Sequence, residues 1–187
     1  MESIIKQATD QLKEGRVILY PSDTIWGIGC DACNEKAVER IFEIKKRPAE
    51  KSMIVLVDSE AMLNKYVKEV PSLAWDLIEF ADKPLTIIYD QPYNIATNLL
   101  ASDGTLAIRL VKDDFCKRLI HKFGKPLVST SANFSGVPTP SNFSQIDEAV
   151  KSEVDYVVNW RQSEIKNAPV STIIRLGNNG DVKIIRK

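Results

Sequence analysis

The feature that most limits what this chain can fold into is a series of apolar runs only three to five residues long. Among them are Val17-Ile18-Leu19-Tyr20, Met53-Ile54-Val55-Leu56-Val57, Leu85-Thr86-Ile87-Ile88-Tyr89 and Leu106-Ala107-Ile108. They are too short for helices, rich in β-branched and aromatic side chains, and bounded by Pro, Gly or charged residues, so they read as buried strands. Between them lie stretches of helical spacing. Residues 3–14 repeat Ile4, Ile5, Ala8 and Leu12 and stop at Gly15. Asn34 is a good N-cap for a second helix with apolar face Ala37, Val38, Ile41 and Phe42, ended by Pro48. Residues 60–81 read as two short helices broken at Pro71, and 114–123 as another. Pro126-Leu127-Val128 returns as a strand, and the polar stretch 129–144 reads as a long loop. Thr172-Ile173-Ile174 and Val182-Lys183-Ile184-Ile185 flank Gly177-Asn178-Asn179-Gly180, the pattern of a hairpin. Strands and helices mix without a strict βαβ rhythm. The expectation is an α+β fold, one mixed sheet with helices packed on it. With 187 residues and neither linker nor internal repeat, residues 1–187 form a single domain.

Composition narrows the function classes. The 25 Lys+Arg balance 25 Asp+Glu, so global charge does not argue for nucleic-acid binding, and any such face would be a local patch. No apolar run approaches the ~20 residues of a spanning helix. The N-terminus lacks a charged start followed by an apolar core, so it is not a secretory signal. A cytoplasmic protein with free thiols is the expectation for Cys30, Cys33 and Cys116. Cys30-x-x-Cys33 has no second cysteine pair and only one histidine in the chain beside it, too few ligands for a four-coordinate zinc site. His121 reads as a structural or surface residue. Gly27-x-Gly29 lacks the third glycine of a dinucleotide fingerprint, and no Walker-type lysine pattern is present.

Three polar segments have unusual composition. Tyr20 to Gly29 offers hydroxyls, a carboxylate and two glycines that let a ligand approach the backbone closely; it reads equally as a turn between strands. Lys45-Lys46-Arg47-Pro48, followed by Lys51, suits phosphate groups, and reads also as cations complementing a helix C-terminus. Ser129-Thr130-Ser131-Ala132-Asn133-Phe134-Ser135-Gly136 and Pro138-Thr139-Pro140 could hold a nucleotide or an amino acid, or form a solvated surface loop.

Taken in order, these segments resemble the YrdC-like family of threonylcarbamoyl-AMP synthases. The first is similar to the family's Tyr-Pro-Thr-(Asp/Glu)-Thr-x-Tyr-Gly-Leu-Gly. Lys45 to Pro48 is similar to its Lys-x-Arg-Pro, Ser131-Ala132-Asn133 to its Ser-x-Asn, and Ser171-Thr172-Ile173 to a later Ser-Thr-Ile/Val segment. The likeness runs from about residue 10 to 176. It implies a twisted mixed sheet flanked by helices around a deep, positively lined cavity. It also implies a reaction: L-threonine, bicarbonate or CO2, and ATP with Mg2+ would give threonylcarbamoyl-AMP and pyrophosphate. No protein-bound metal or organic cofactor is implied. Downstream transfer proteins would then modify tRNA, and no membrane partner is implied. Carried over position by position, Thr24, Arg109 and Ser129 would contact threonine. Arg47, Lys51, Thr105, Ser131, Asn133, Thr139 and Ser171 would contact ATP, with Lys45 and Arg47 as the catalytic cations.

Several positions depart from the family pattern. Trp26 stands where Tyr is usual, Ala81-Asp82-Lys83-Pro84 where Pro-Gly-Pro is usual, Leu110-Val111-Lys112 where Arg-x-Pro is common, and Arg175 where an acid is frequent. The rival reading is a non-catalytic module for double-stranded RNA or tRNA, since family members have been linked to RNA. A second rival, the related carbamoyl-adenylate chemistry of hydrogenase maturation proteins, goes with acylphosphatase and zinc-finger regions that do not appear here.

Overall fold

The computed structural model describes residues 1–46, 53–165, 170–177 and 181–187. In chain order the elements are α1 (Glu2–Lys13), β1 (Ile18–Pro21), β2 (Trp26–Gly29), α2 (Glu35–Lys45), β3 (Ile54–Val57), α3 (Glu60–Leu63), α4 (Ser72–Glu79), β4 (Leu85–Tyr89), β5 (Leu106–Leu110), α5 (Asp114–Phe123), β6 (Leu127–Ser131), α6 (Glu148–Glu153), β7 (Tyr156–Val157), β8 (Thr172–Leu176) and β9 (Val182–Arg186). Short 3-10 turns sit at Thr97–Leu99 and Phe143–Gln145.

Among the described residues the strands form one sheet in the order β7-β1-β2-β6-β3-β5-β4-β8-β9. Pairs β1/β7, β3/β5 and β4/β8 are parallel, and the other pairs antiparallel. The sheet is therefore mixed, with helices packed on it, as expected. The apolar runs are its centre: Val55, Leu56, Ile87, Ile108, Leu127 and Val128 are all buried. Parallel strands covered by helices read as continuous apolar stretches for this reason.

Local chemistry sets the helix ends. Asn34 caps α2, its side chain accepting from the amides of Lys36 and Ala37, a contact whose loss costs about 1 kcal/mol. Asp113 caps α5 through the Cys116 amide, and Gly124 ends that helix at φ 80°, a left-handed conformation that favours glycine. Helices α1 and α5 pack side by side, burying Ile5, Ala8 and Leu12 of one and Phe115, Leu119 and Ile120 of the other.

The reading of Tyr20 to Gly29 as a turn between strands holds, and one expectation needs correction. The segment from Tyr20 to Gly29 is a β-hairpin. Its strands pair Ile18 with Gly29 and Pro21 with Trp26, leaving only residues 22–25 as the turn. The polar loop begins at residue 132, because Ser129, Thr130 and Ser131 are strand residues. Thr130 pairs with Ile28, Ser131 with Gly27, and Ser129 with Ile54. This strand end has no apolar pattern because it faces a cavity instead of the core. Gly29 marks how closely the strands approach: a Cβ there would lie 2.3 Å from the Val128 carbonyl oxygen and 2.7 Å from the Tyr20 ring. No helix among the described residues is long and apolar enough to cross a membrane.

Candidate active site

A cavity of about 220 Å³ opens on the polar ends of these strands. The hairpin turn supplies Thr24 and Ile25, β6 supplies Ser129, Thr130 and Ser131, and β5 supplies Arg109. Thr139 comes from the loop after β6, Ser171 precedes β8, and Arg186 ends β9. Met53, Ile54, Val170 and Ile173 form its apolar wall. A hydroxyl-rich cavity with two guanidiniums and some apolar surface suits an anionic organic ligand of mixed polarity.

Several of these polar groups are held in place. In the hairpin turn the Thr24 amide donates to Ser22 Oγ at 3.2 Å, and Ser22 Oγ donates to the Ile25 carbonyl at 2.6 Å. The two hydroxyls lie 3.1 Å apart. Arg109 is 3% exposed, and its Nη2 lies 3.0 Å from Asp23 Oδ1, from the same turn. Nε of Arg109 is buried without a hydrogen-bond partner among the described residues, a donor left for a ligand. Across the cavity, Arg186 donates through Nε and Nη2 to the Ser171 carbonyl, at 3.1 and 2.8 Å, and through Nη2 to Ser171 Oγ at 3.2 Å. Ser171 Oγ also lies 2.9 Å from Thr86 Oγ1. Burial first, and then the like charge of Arg109, pull Arg186 below its ordinary pKa. A guanidinium whose charge is disfavoured in this way is stabilised by an anion placed beside it.

Of the residues carried over from the family pattern, Thr24, Arg109, Ser129, Ser131, Thr139 and Ser171 all line this one cavity. Three others are not among its lining residues. Thr105 is buried and donates from Oγ1 to Asp103 at 2.7 Å. Asn133 Nδ2 donates to the carbonyls of Phe134 and Val137, at 3.0 and 2.6 Å. The ammonium of Lys45, expected to face phosphates, is instead buried and donates to the carbonyls of Ser131 and Asn133. Arg47 and Lys51 lie outside the described residues. The cavity residue missed in the sequence is Arg186. Its one signal is a second cation in the strand Val182-Lys183-Ile184-Ile185-Arg186. Asp23 was visible as a carboxylate in the turn, but its partner, 86 residues away, was not.

The departures from the family pattern acquire contacts. Trp26 is buried and its ring lies 4.7 Å from that of Phe143, fastening the loop after β6 onto β2. Lys112 donates to the carbonyls of Ala81 and Glu79, at 3.1 and 3.4 Å, so one unusual segment tethers the other. Arg175 pairs with Asp103 at 2.8 Å and with Asp90 at 3.3 Å. Asp103 in turn holds Thr105. Among the described residues no group of three or more His, Cys, Asp or Glu could hold a metal ion, and no carboxylate lines the cavity.

The sequence matches the family described as Telomere recombination, which groups Sua5, YciO and YrdC, over residues 10–187. It is 35% identical to the threonylcarbamoyl-AMP synthase of Pseudoalteromonas translucida, over 93% of this chain and 98% of that one. It is 30% identical to the enzyme of the same name from Vibrio vulnificus, over 95% of this chain and all of that one. Among solved structures it superposes on Pyrococcus abyssi Sua5 in complex with L-threonine with a TM-score of 0.86 and 29% identity. That match covers 94% of this chain and 52% of the other, so the chain spans about half the length of that relative. The Escherichia coli protein YciO shares the fold, with a TM-score of 0.85 over the whole chain at 23% identity.

Proposed function

Because the chain belongs to the Sua5/YciO/YrdC family, we propose that it is an L-threonylcarbamoyladenylate synthase, joining carboxylated threonine to the AMP moiety of ATP. The observation that carries this reading is the convergence of Thr24, Arg109, Ser129, Ser131, Thr139 and Ser171 on one cavity with a second guanidinium, Arg186. These residues come from six separated stretches of sequence, and a merely structural role would not gather them around a void.

In this reading Arg109 grips the threonine carboxylate, its planar fork held in register by Asp23, while Thr24 and Ser129 hydrogen-bond the rest of the amino acid. Ser131, Thr139, Ser171 and Arg186 bind the nucleotide, and Arg47 and Lys51 add charge beside the phosphates. Threonine's neutral amine takes up CO2 and releases a proton, giving a carbamate. A carbamate oxygen then attacks the α-phosphorus, the bond to the bridging oxygen breaks, and pyrophosphate leaves. The nucleophile belongs to the substrate, so no serine or cysteine need be activated. What the chain contributes is alignment of carbamate and phosphorus, and fixed positive charge where negative charge gathers. Magnesium enters with ATP as the substrate complex; a cavity lined by hydroxyls and guanidiniums leaves the metal to the phosphates.

The product serves threonylcarbamoyladenosine modification of tRNA through separate transfer proteins, and the work would be done in the cytoplasm, where ATP and tRNA meet. Incubation with ATP, L-threonine and bicarbonate tests the reading. Pyrophosphate and threonylcarbamoyl-AMP should appear in equal amounts, and omitting any one substrate should stop both. ATP cleavage that ignores threonine would refute it.

A further inference from the structure

Lys45 closes α2 and is among the largest fully buried side chains of the protein, 1% exposed. A buried ammonium costs several kcal/mol unless hydrogen bonds compensate it, so its partners indicate what holds it there. Its Nζ donates to the Ser131 carbonyl and, at 2.6 Å, to the Asn133 carbonyl. These two carbonyls bracket the point where β6 leaves the sheet.

The same helix end meets the same loop twice more. The Ser135 amide donates to the Lys45 carbonyl at 2.9 Å, and the Lys46 ammonium lies 5.2 Å from the centre of the Phe134 ring. Asn133 Nδ2 then ties the loop to itself through the carbonyls of Phe134 and Val137. Ser131 lines the cavity, whereas Lys45 does not.

The geometry points to Lys45 as a positioning residue: its ammonium clamps the carbonyls of Ser131 and Asn133, fixes the end of β6, and thereby presents the Ser131 hydroxyl to the nucleotide without itself touching the β- and γ-phosphates. The nucleotide part of this inference rests on the function proposed above; the clamp itself does not.

Lys45→Met in the full chain separates the roles. Amide hydrogen exchange without ligand should rise at least tenfold across residues 131–137 while α1 and α5 keep their protection. Calorimetric titration should show AMP and ATP weakened by a common factor of about tenfold, with their affinity ratio unchanged. Unchanged protection in the loop overturns the clamp. ATP weakened tenfold more than AMP also overturns it, by restoring direct phosphate contact. Wild-type protein that binds neither nucleotide removes the proposed function and leaves the exchange measurement to decide on the clamp. Should the methionine variant fail to fold, Lys45→Gln, which keeps a donor nitrogen, should loosen the same segment to a smaller degree; an unloosened segment there is equally contrary.

Discussion

Replacing Arg109 by lysine tests the assignment of the amino-acid half of the cavity. The guanidinium faces two anions: Asp23, ion-paired through Oδ1 at 3.0 Å, and, in the proposed complex, the threonine carboxylate. Both side chains of the pair are largely buried, 4% and 15% exposed. At that separation and an effective dielectric of about 20, the Coulomb attraction is about 5.5 kcal/mol before desolvation is subtracted. Deleting the charge, as in Arg109→Met, would strand Asp23 and cost about 3–5 kcal/mol of stability, confounding any kinetic effect. Arg109→Lys keeps the charge but loses the planar fork. The ammonium then satisfies Asp23 and releases one charge-assisted hydrogen bond to substrate, worth about 1.5–3 kcal/mol. At 1.4 kcal/mol per decade, the threonine KM should rise about 10- to 150-fold. The ATP KM should stay within about twofold. Initial rates of pyrophosphate release, with each substrate varied in turn, measure both. A threonine KM unchanged in a folded variant, or an ATP KM that rises instead, would refute the assignment.

Three further outcomes follow from the geometry. Arg186→Met should raise the ATP KM about tenfold or more, by loss of one charge-assisted contact, and leave the threonine KM alone; the same rate assay reads both, and the reverse pattern contradicts the placement. Gly29→Ala should destabilise by about 2–3 kcal/mol or prevent folding, because the added Cβ meets backbone at 2.3 Å; an unshifted denaturation midpoint would contradict it. Asp103 is held down to about 2 from an ordinary 3.8 by the Thr105 hydroxyl and amide and then by Arg175. A carboxyl lowered in the folded state contributes stability that is complete above its ordinary value and is lost as pH falls toward about 2. Asp103→Asn should therefore flatten the loss of thermal stability between about pH 4 and pH 2, whereas parallel curves for variant and wild type would contradict it.

The sequence revealed the parts of the fold that are driven by local patterning. The apolar runs became strands β1, β3, β4, β5, β8 and β9, and the helical spacings became α1, α2 and α5, with Asn34 at its expected cap. What stayed hidden was set by partners far along the chain. β7 is two residues long and exists because Ile18 and Leu19 offer it an edge. The polar end of β6 was hidden for the opposite reason: it faces a cavity, so it lacks the apolar alternation that betrays a strand. The same logic governs the site. Thr24, Arg109, Ser129, Ser131, Thr139 and Ser171 could be assigned because they sit in recognisable segments, and they do meet around one cavity. Arg186 sits in no such segment and became visible only when β9 paired with β8 beside Ser171. Lys45 shows the converse, since its sequence context suggests a phosphate while its burial and its bonds to the Ser131 and Asn133 carbonyls describe a clamp.

The most direct test of the central claim is the product itself. Purified protein supplied with ATP, magnesium, L-threonine and labelled bicarbonate should form threonylcarbamoyl-AMP carrying the label, detected by mass spectrometry, with one pyrophosphate per product. Absence of that adenylate, together with tight and salt-dependent binding of double-stranded RNA, would contradict the account and leave the cavity without the chemistry assigned to it.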